Sequence, residues 1–320
     1  MNIKIITIPV CILAGISLVI AIGNRNHSHQ YQYTIGIIQT ASHPALDAAR
    51  EGFVATIKKA MPNTVNIVVH NAQGSITNLH AIAQRCSQDK RVNLIYAIAT
   101  PAAQAIATVE KTKPIIIAAV TDPTIIGSQQ NLGGVTDAIN IDKQIEMMML
   151  LTPSLQTVGL LYSTGEPNSL KQIDLMKTRL AQNNIDYVEV GITHESDLPL
   201  AAATACRKAD ALLCPTDNTI ASGMPIIVKI ARDHNKPLYA CHNQAVEQGA
   251  LASRGVDYTQ CGAHAGAIAL ECLTAKHTNV IPLVNANCHI THINSTTLNH
   301  LGLPIPASLT DYHLVQGEAK

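Results

Sequence analysis

Aromatic side chains are nearly missing from this sequence: they make up 3% of it, Phe53 is the single phenylalanine, and there is no tryptophan. A ligand pocket here cannot be a crowded aromatic cage and must use tyrosine or aliphatic walls. Charge is also scarce. Asp, Glu, Lys and Arg together reach 14%, and the 22 basic residues are balanced by 22 acidic ones. With no broad positive field, nucleic acid is excluded as a partner, because such binding rests on neutralising many phosphates. The hydrophobic share of 47% excludes disorder as the main state, and 320 residues are enough for about two domains.

Catalytic signatures are absent as well. There is no G-x-S-x-G elbow, no G-x-G-x-x-G after the first strand and no G-x-x-x-x-G-K-[ST], so hydrolase, dinucleotide and nucleotide-hydrolysis chemistry lack their usual support. Carboxylates such as Glu166 and Asp217 read as binding or capping groups, so we expect no enzyme, no catalytic residue and no cofactor. The 14 histidines and 8 cysteines include the groups Cys241-His242, Cys261 to His264 and Cys288-His289 to His292, but no Cys-x-x-Cys or His-Glu-x-x-His. No metal site is expected, although metal-binding transport stays open as an alternative. Cys86, Cys206, Cys214, Cys241, Cys261, Cys272 and Cys288 follow Cys11; most lie in apolar surroundings and suit small buried hydrophobes better than a disulfide framework.

What is present begins with an apolar run from Ile5 to Ile22 behind Lys4. Residues 1–23 read as an export signal cleaved after Ala21 or Gly23, with an uncleaved membrane anchor as the alternative. Residues 24–32, with His27 and His29, form a polar linker. The body then works outside the cytoplasmic membrane, in the periplasm or at its outer face.

From Tyr33 the chain alternates β-branched runs with helical stretches. Strands are expected at 33–38, 65–69, 93–98 and 114–120, with helices at 44–60, 76–87 and 101–110 between them. The pattern restarts with helix 143–151, strand 157–162, helix 168–182, strand 187–190, helix 198–208, strand 211–214, helix 219–234, strands 237–240 and 250–253, helix 258–273 and a late strand at 290–293. Apolar strands separated by helices imply parallel sheets covered on both faces. The fold class is therefore α/β with two Rossmann-like lobes. Ordered structure is expected to end at Leu301 to Pro304.

Ligands of such sheets sit at the carboxyl ends of the strands, where backbone N–H groups and helix dipoles converge. Those ends carry Gln39-Thr40-Ala41-Ser42-His43-Pro44, Ala99-Thr100-Pro101, Val120-Thr121-Asp122-Pro123, Ser163 to Ser169 and Pro215-Thr216-Asp217-Asn218. Helix capping by Thr100, with Pro101 at the first helical position, is the plain reading of one of them. Hydroxyls and carboxylates at several ends would also suit a small zwitterion, its ammonium facing a carboxylate such as Asp217.

His43-Pro44 with Asp47 and Arg50-Glu51-Gly52-Phe53, Thr121-Asp122-Pro123, Glu166-Pro167-Asn168-Ser169, Asp217-Asn218 and Gly255-Val256-Asp257-Tyr258 occur in a familiar order. In this the chain resembles, from about Tyr33 to Pro306, the ABC-transporter substrate-binding proteins of the tryptophan/tyrosine-binding type. The resemblance implies a type I periplasmic-binding fold, two lobes joined by three crossovers. It implies an N-terminal lobe of 33–138 plus 256–283, a C-terminal lobe of 139–255 plus 284–306, and a tail at 307–320. A small solute, an amino acid and an aromatic one in the family's pattern, would be captured by a monomer through hinge closure and passed to an ABC permease and its ATPase. A ligand-sensing receptor module of the same fold is the other alternative. Carried onto this sequence, the ligand positions are Thr40, Thr100, Thr121, Asp122, Asn168, Ser169, Asp217 and Asp257. Tyr96, Tyr162 and Tyr258 are the rings available to an aromatic solute, and Gly133, Gly134 and Gly255 lie near the expected crossovers. Pro167 departs from the family pattern, replacing a more flexible residue.

Overall fold

The computed structural model describes residues 31–274, 280–286 and 290–316. The expected signal, most of the linker, His27, His29, Cys11, Cys288 and His289 lie outside them.

The first sheet contains β1 (Tyr33–Gln39), β2 (Val65–Asn71), β3 (Leu94–Ile98), β4 (Ile115–Val120), β5 (Leu132–Thr136) and β11 (Leu283–Asn285), in the order β11-β5-β4-β3-β1-β2. Every neighbouring pair in it is parallel. Its central strands are buried along their whole length, as with Ile115 to Val120, because helices cover both faces: α1 (Pro44–Ala60), α2 (Ile76–Gln88) and α3 (Thr100–Val109).

The second sheet contains β6 (Thr157–Ser163), β7 (Asp186–Ile192), β8 (Ala211–Cys214), β9 (Leu238–His242), β10 (Ala252–Val256), β12 (Ile290–Asn294) and β13 (Tyr312–Val315), ordered β13-β12-β10-β9-β8-β6-β7. Only β12 runs antiparallel to its neighbour β10. The helices of this half are α4 (Ile141–Leu151), α5 (Pro167–Gln182), α6 (Leu198–Lys208), α7 (Asn218–Ser222), α8 (Met224–Asp233) and α9 (Asn243–Glu247), with α11 (Ser295–His300) after β12.

The chain passes between the sheets three times: from β5 to α4, from β10 to α10 (Tyr258–Leu273), and from β11 to β12. Helix α10 follows a strand of the second sheet but packs on α1 of the first. Two glycines permit that contact, since a Cβ on Gly52 would stand 2.1 Å from Thr259 O and one on Gly262 would stand 2.0 Å from Ala49 O.

Several elements differ from the sequence expectations. The single helix expected over 219–234 is two, α7 and α8, meeting at Gly223 just before Pro225, which has no N–H to continue the ladder. Strand β5 is hidden in sequence by its glycine pair. Gly134 takes φ 138°, and a Cβ there would lie 2.2 Å from Ile117 O, so close strand approach explains this glycine without invoking a hinge. Order does not end at Pro304: β13 pairs in parallel with β12, Thr291 opposite Tyr312. Strand β11 belongs to the first sheet through Asn285, so residues 284 and 285, expected in the C-terminal lobe, pair with β5.

Six cysteines among the described residues carry free thiols, five of them buried. No helix among the described residues is long and apolar enough to cross a membrane.

Candidate functional site

The carboxyl ends of β1 and β4 face the ends of β6, β8 and β9 across a narrow cleft. A cavity of about 10 Å³ lies there, lined by His43, Leu46 and Ala119 from the first half, Asn168, Asp217 and His242 from the second, and Tyr258 at the crossover. That is about the least volume that can hold one water, so the two edges are nearly in contact. A hydrogen bond spans them, His43 Nε2 to Asn218 Oδ1 at 3.3 Å.

The backbone is strained where the first sheet meets the cleft. Ala99 has φ 77° and ψ 158°, a combination normally left to glycine, and Ala119 has φ 56°. Ala119 sits at a break in the β4–β5 register between Ile117 and Val120. Strain of about 1–3 kcal/mol per residue persists only where the surroundings over-determine it, and it gathers at binding sites.

The eight sequence-derived positions divide into two groups. Thr40, Asp122, Asp217 and Asp257 are engaged in holding the protein's own backbone. Thr40 Oγ1 donates to Ile98 O at 3.0 Å. Asp122 Oδ1 accepts from Thr124 N, and Asp257 Oδ1 from Gln260 N at the start of α10. Asp217 Oδ2 accepts from Ser163 N at 2.7 Å and its Oδ1 from Ile220 N at 2.9 Å, tying the β8 end to the β6 end and capping α7.

Thr100, Thr121, Asn168 and Ser169 are different: each is buried and keeps a side-chain oxygen without a hydrogen-bond partner. Buried polar atoms are nearly always paired, so four such atoms at strand ends and helix starts require a cause. The capping expected of Thr100 does not occur, because Ala99 occupies the N-cap and no side chain caps α3. Ser169 still opposes the upward shift of Asp217, and Thr121 that of Asp137, although neither hydroxyl reaches ordinary hydrogen-bond geometry. Asn168 is oriented by its Nδ2, which donates to Thr216 O at 2.8 Å and leaves Oδ1 bare.

Sequence reasoning missed His43, Asn218 and His242 as site residues, and it read Glu166 as a binding or capping group without placing it among the ligand positions. Glu166 grips the start of α7 with both oxygens: Oε2 accepts from Asn218 N and Nδ2, Oε1 from Thr219 N and Oγ1. Burial, then the nearby Glu166 charge, raises the Asp217 carboxyl well above its usual range. Burial lowers the His43 imidazole, against opposing pulls from Asn218, Glu166 and Asp47. Burial, helped by His43, takes His242 down to about 3, and its Nδ1 accepts from Ala245 N to cap α9. A signal for two of these was legible: His43 and Glu166 each stand before a proline at the first helical position, an arrangement that holds the preceding residue extended at a strand end.

Of the three tyrosines, Tyr258 alone lines the cavity. Tyr96 is a core residue stacked on Phe53, with ring centroids 3.9 Å apart, and Tyr162 reaches Glu189 on the second sheet's outer side. Among the described residues no group of three His, Cys, Asp or Glu side chains is placed to hold a metal ion.

The family model for ABC transporter substrate binding proteins matches residues 34–314. A tyrosine-binding protein of Clostridioides difficile (strain R20291) is 37% identical over 290 residues, 88% of this chain and 84% of the relative. Among solved structures, a Streptococcus pneumonia ABC domain in complex with L-Trp is 28% identical with a TM-score of 0.84, covering 89% of this chain and 100% of that one. The ligand-free, open structure of a Clostridium difficile substrate binding protein with adhesive properties is 34% identical at a TM-score of 0.67, with the same coverage. The chain belongs to the ABC transporter substrate-binding family, and its architecture is the type I periplasmic-binding fold.

Proposed function

We propose that this protein is the extracytoplasmic receptor of an ABC importer that captures an aromatic L-amino acid, tyrosine or tryptophan, and hands it to a permease driven by its ATPase. Its role is binding without catalysis, as a monomer whose two lobes shut around the solute. The observation that carries the reading is that Thr100, Thr121, Asn168 and Ser169, which follow strands of the two sheets, are buried and each keep an unpartnered oxygen, with Asn168 lining the cavity between the sheets. Such atoms are costly in a closed protein unless something pairs with them. The relatives that bind tyrosine and tryptophan supply the solute class.

The hinge is supported by a contrast between two solved relatives. The chain matches the L-Trp complex at a TM-score of 0.84 but the open structure at 0.67, although the open one is nearer in sequence. Lobe arrangement accounts for that inversion better than divergence does, and the 10 Å³ cavity agrees with shut lobes. An amino acid enters only when the lobes part, and it favours closure only by binding the shut form more tightly.

Calorimetry and thermal shift with L-tyrosine, L-tryptophan, L-leucine and a sugar test this directly. A solute at a hundredfold excess over its Kd raises stability by about 2.7 kcal/mol. We expect that shift for an aromatic amino acid, with compaction in small-angle scattering. A sugar or leucine binding better than both aromatic amino acids would overturn the solute assignment.

A further inference from the structure

Asn218 cannot present its amide either way round. Its Nδ2 donates to Glu166 Oε2 at 2.6 Å, which turns Oδ1 toward His43 Nε2 at 3.3 Å. An amide oxygen only accepts, so the proton of that bond belongs to His43 Nε2. The neutral ring then carries its lone pair on Nδ1, which is buried without a partner on a residue lining the cavity. The lowered pKa of His43 agrees with a neutral ring.

Donors and acceptors in the cavity are unequally distributed. His43 Nδ1 and Asn168 Oδ1 are bare acceptors, Asp217 stands behind them, and no lysine or arginine lines the space. Asp217 itself is committed to Ser163 and Ile220, and with its carboxyl raised well above the usual range it supplies neither a free contact nor a fixed negative charge. The two bare acceptors suit a group that donates hydrogen bonds, such as an amine.

Building on the amino-acid reading above, we infer that His43 has two roles in one ring: Nε2–H latches the lobes through Asn218, and Nδ1 accepts a hydrogen bond from the solute's ammonium beside Asn168. Glu166 is a positioning residue that acts through Asn218. The latch couples recognition to closure, because Nδ1 and Nε2 belong to one rigid plane.

The two roles separate experimentally. His43→Gln puts an amide nitrogen near the Nε2 position and nothing at Nδ1, whereas His43→Asn does the reverse. Nitrogen-15 spectra of histidine-labelled wild-type protein saturated with L-tyrosine should show His43 as the Nε2–H tautomer at neutral pH; an Nδ1–H tautomer would overturn the proposal. By calorimetry, H43Q should bind L-tyrosine about 10- to 100-fold more weakly, and 3-(4-hydroxyphenyl)propanoate, which lacks the amine, nearly as wild type does. Unchanged tyrosine affinity, or equal losses for both compounds, would overturn it. H43N should lose affinity for both alike, and a loss confined to tyrosine would count against the latch; this variant and the spectra decide the matter if H43Q does not fold. Wild-type protein that bound neither tyrosine nor tryptophan would sink the solute assignment, whereas tyrosine bound with an Nδ1–H ring would sink the two roles of His43 alone.

Discussion

The Tyr258 hydroxyl donates a hydrogen bond to Asp137 Oδ2, although the two residues lie 121 positions apart in the chain. Asp137 follows β5 on the first crossover and Tyr258 opens α10 after the second, so the bond joins two of the segments that cross between the lobes. Both groups are buried, and Asp137 Oδ1 has no ordinary hydrogen bond. Any hinge motion must carry this pair along or break it.

Burial raises the Asp137 carboxyl above its usual value, against the opposing hydrogen bond from Tyr258. A raised carboxyl favours the folded state fully below the unfolded value, and this contribution is lost as pH rises toward the folded one. Asp137→Asn keeps an oxygen for Tyr258 and removes the charge. We expect D137N to match wild type near pH 4 and to exceed it in stability increasingly above that, at roughly 1 kcal/mol per pH unit until the native carboxyl ionises. Thermal melts across pH check this, and parallel curves would refute it.

His242 has the opposite sign. Its pKa falls to about 3 on burial, so below about pH 6.5 the unfolded chain binds a proton that the folded protein refuses. Wild-type stability should fall as pH drops from about 6.5 toward 3. His242→Asn retains an acceptor for the Ala245 N–H and should flatten that part of the denaturant-derived stability profile.

Glu166 holds two backbone N–H groups and two side-chain donors at the start of α7. Glu166→Ala strands those donors in a buried site and should cost about 2–4 kcal/mol in urea melts. Solute affinity should fall too, because Asn218 loses its orientation. Full stability with wild-type binding would show the grip to be dispensable.

The contact of α1 with α10 offers a purely steric test. Gly262→Ala would set a Cβ 2.0 Å from Ala49 O, backbone that cannot swing aside, so a loss of at least about 1–3 kcal/mol is expected. At Gly165 the nearest atom to an added Cβ is Ser163 Oγ at 3.8 Å, and Gly165→Ala should stay within about 0.5 kcal/mol of wild type. Equal effects from the two would argue against the observed helix packing.

The alternation of periods by itself determined the α/β class and most strands, because an all-apolar run such as Ile115-Ile116-Ile117 has no stable place except a sheet covered on both faces. It also directed attention to strand ends, and with the order of the motifs it nominated Thr100, Thr121, Asn168 and Ser169. Short elements whose identity depends on a neighbour escaped it: β13 exists through its pairing with β12, and β5 is a strand because Gly133 and Gly134 let adjoining backbone close in. Which polar groups are consumed by the fold and which are left bare was decided only in three dimensions. Asp217 and Thr100 look equally fit to meet a ligand in sequence, yet one is tied to Ser163 and Ile220 while the other has no partner. Local pattern records what a residue can bond to; the partner comes from chain segments far away in sequence, as with His43 and Asn218, and only tertiary packing brings them within reach.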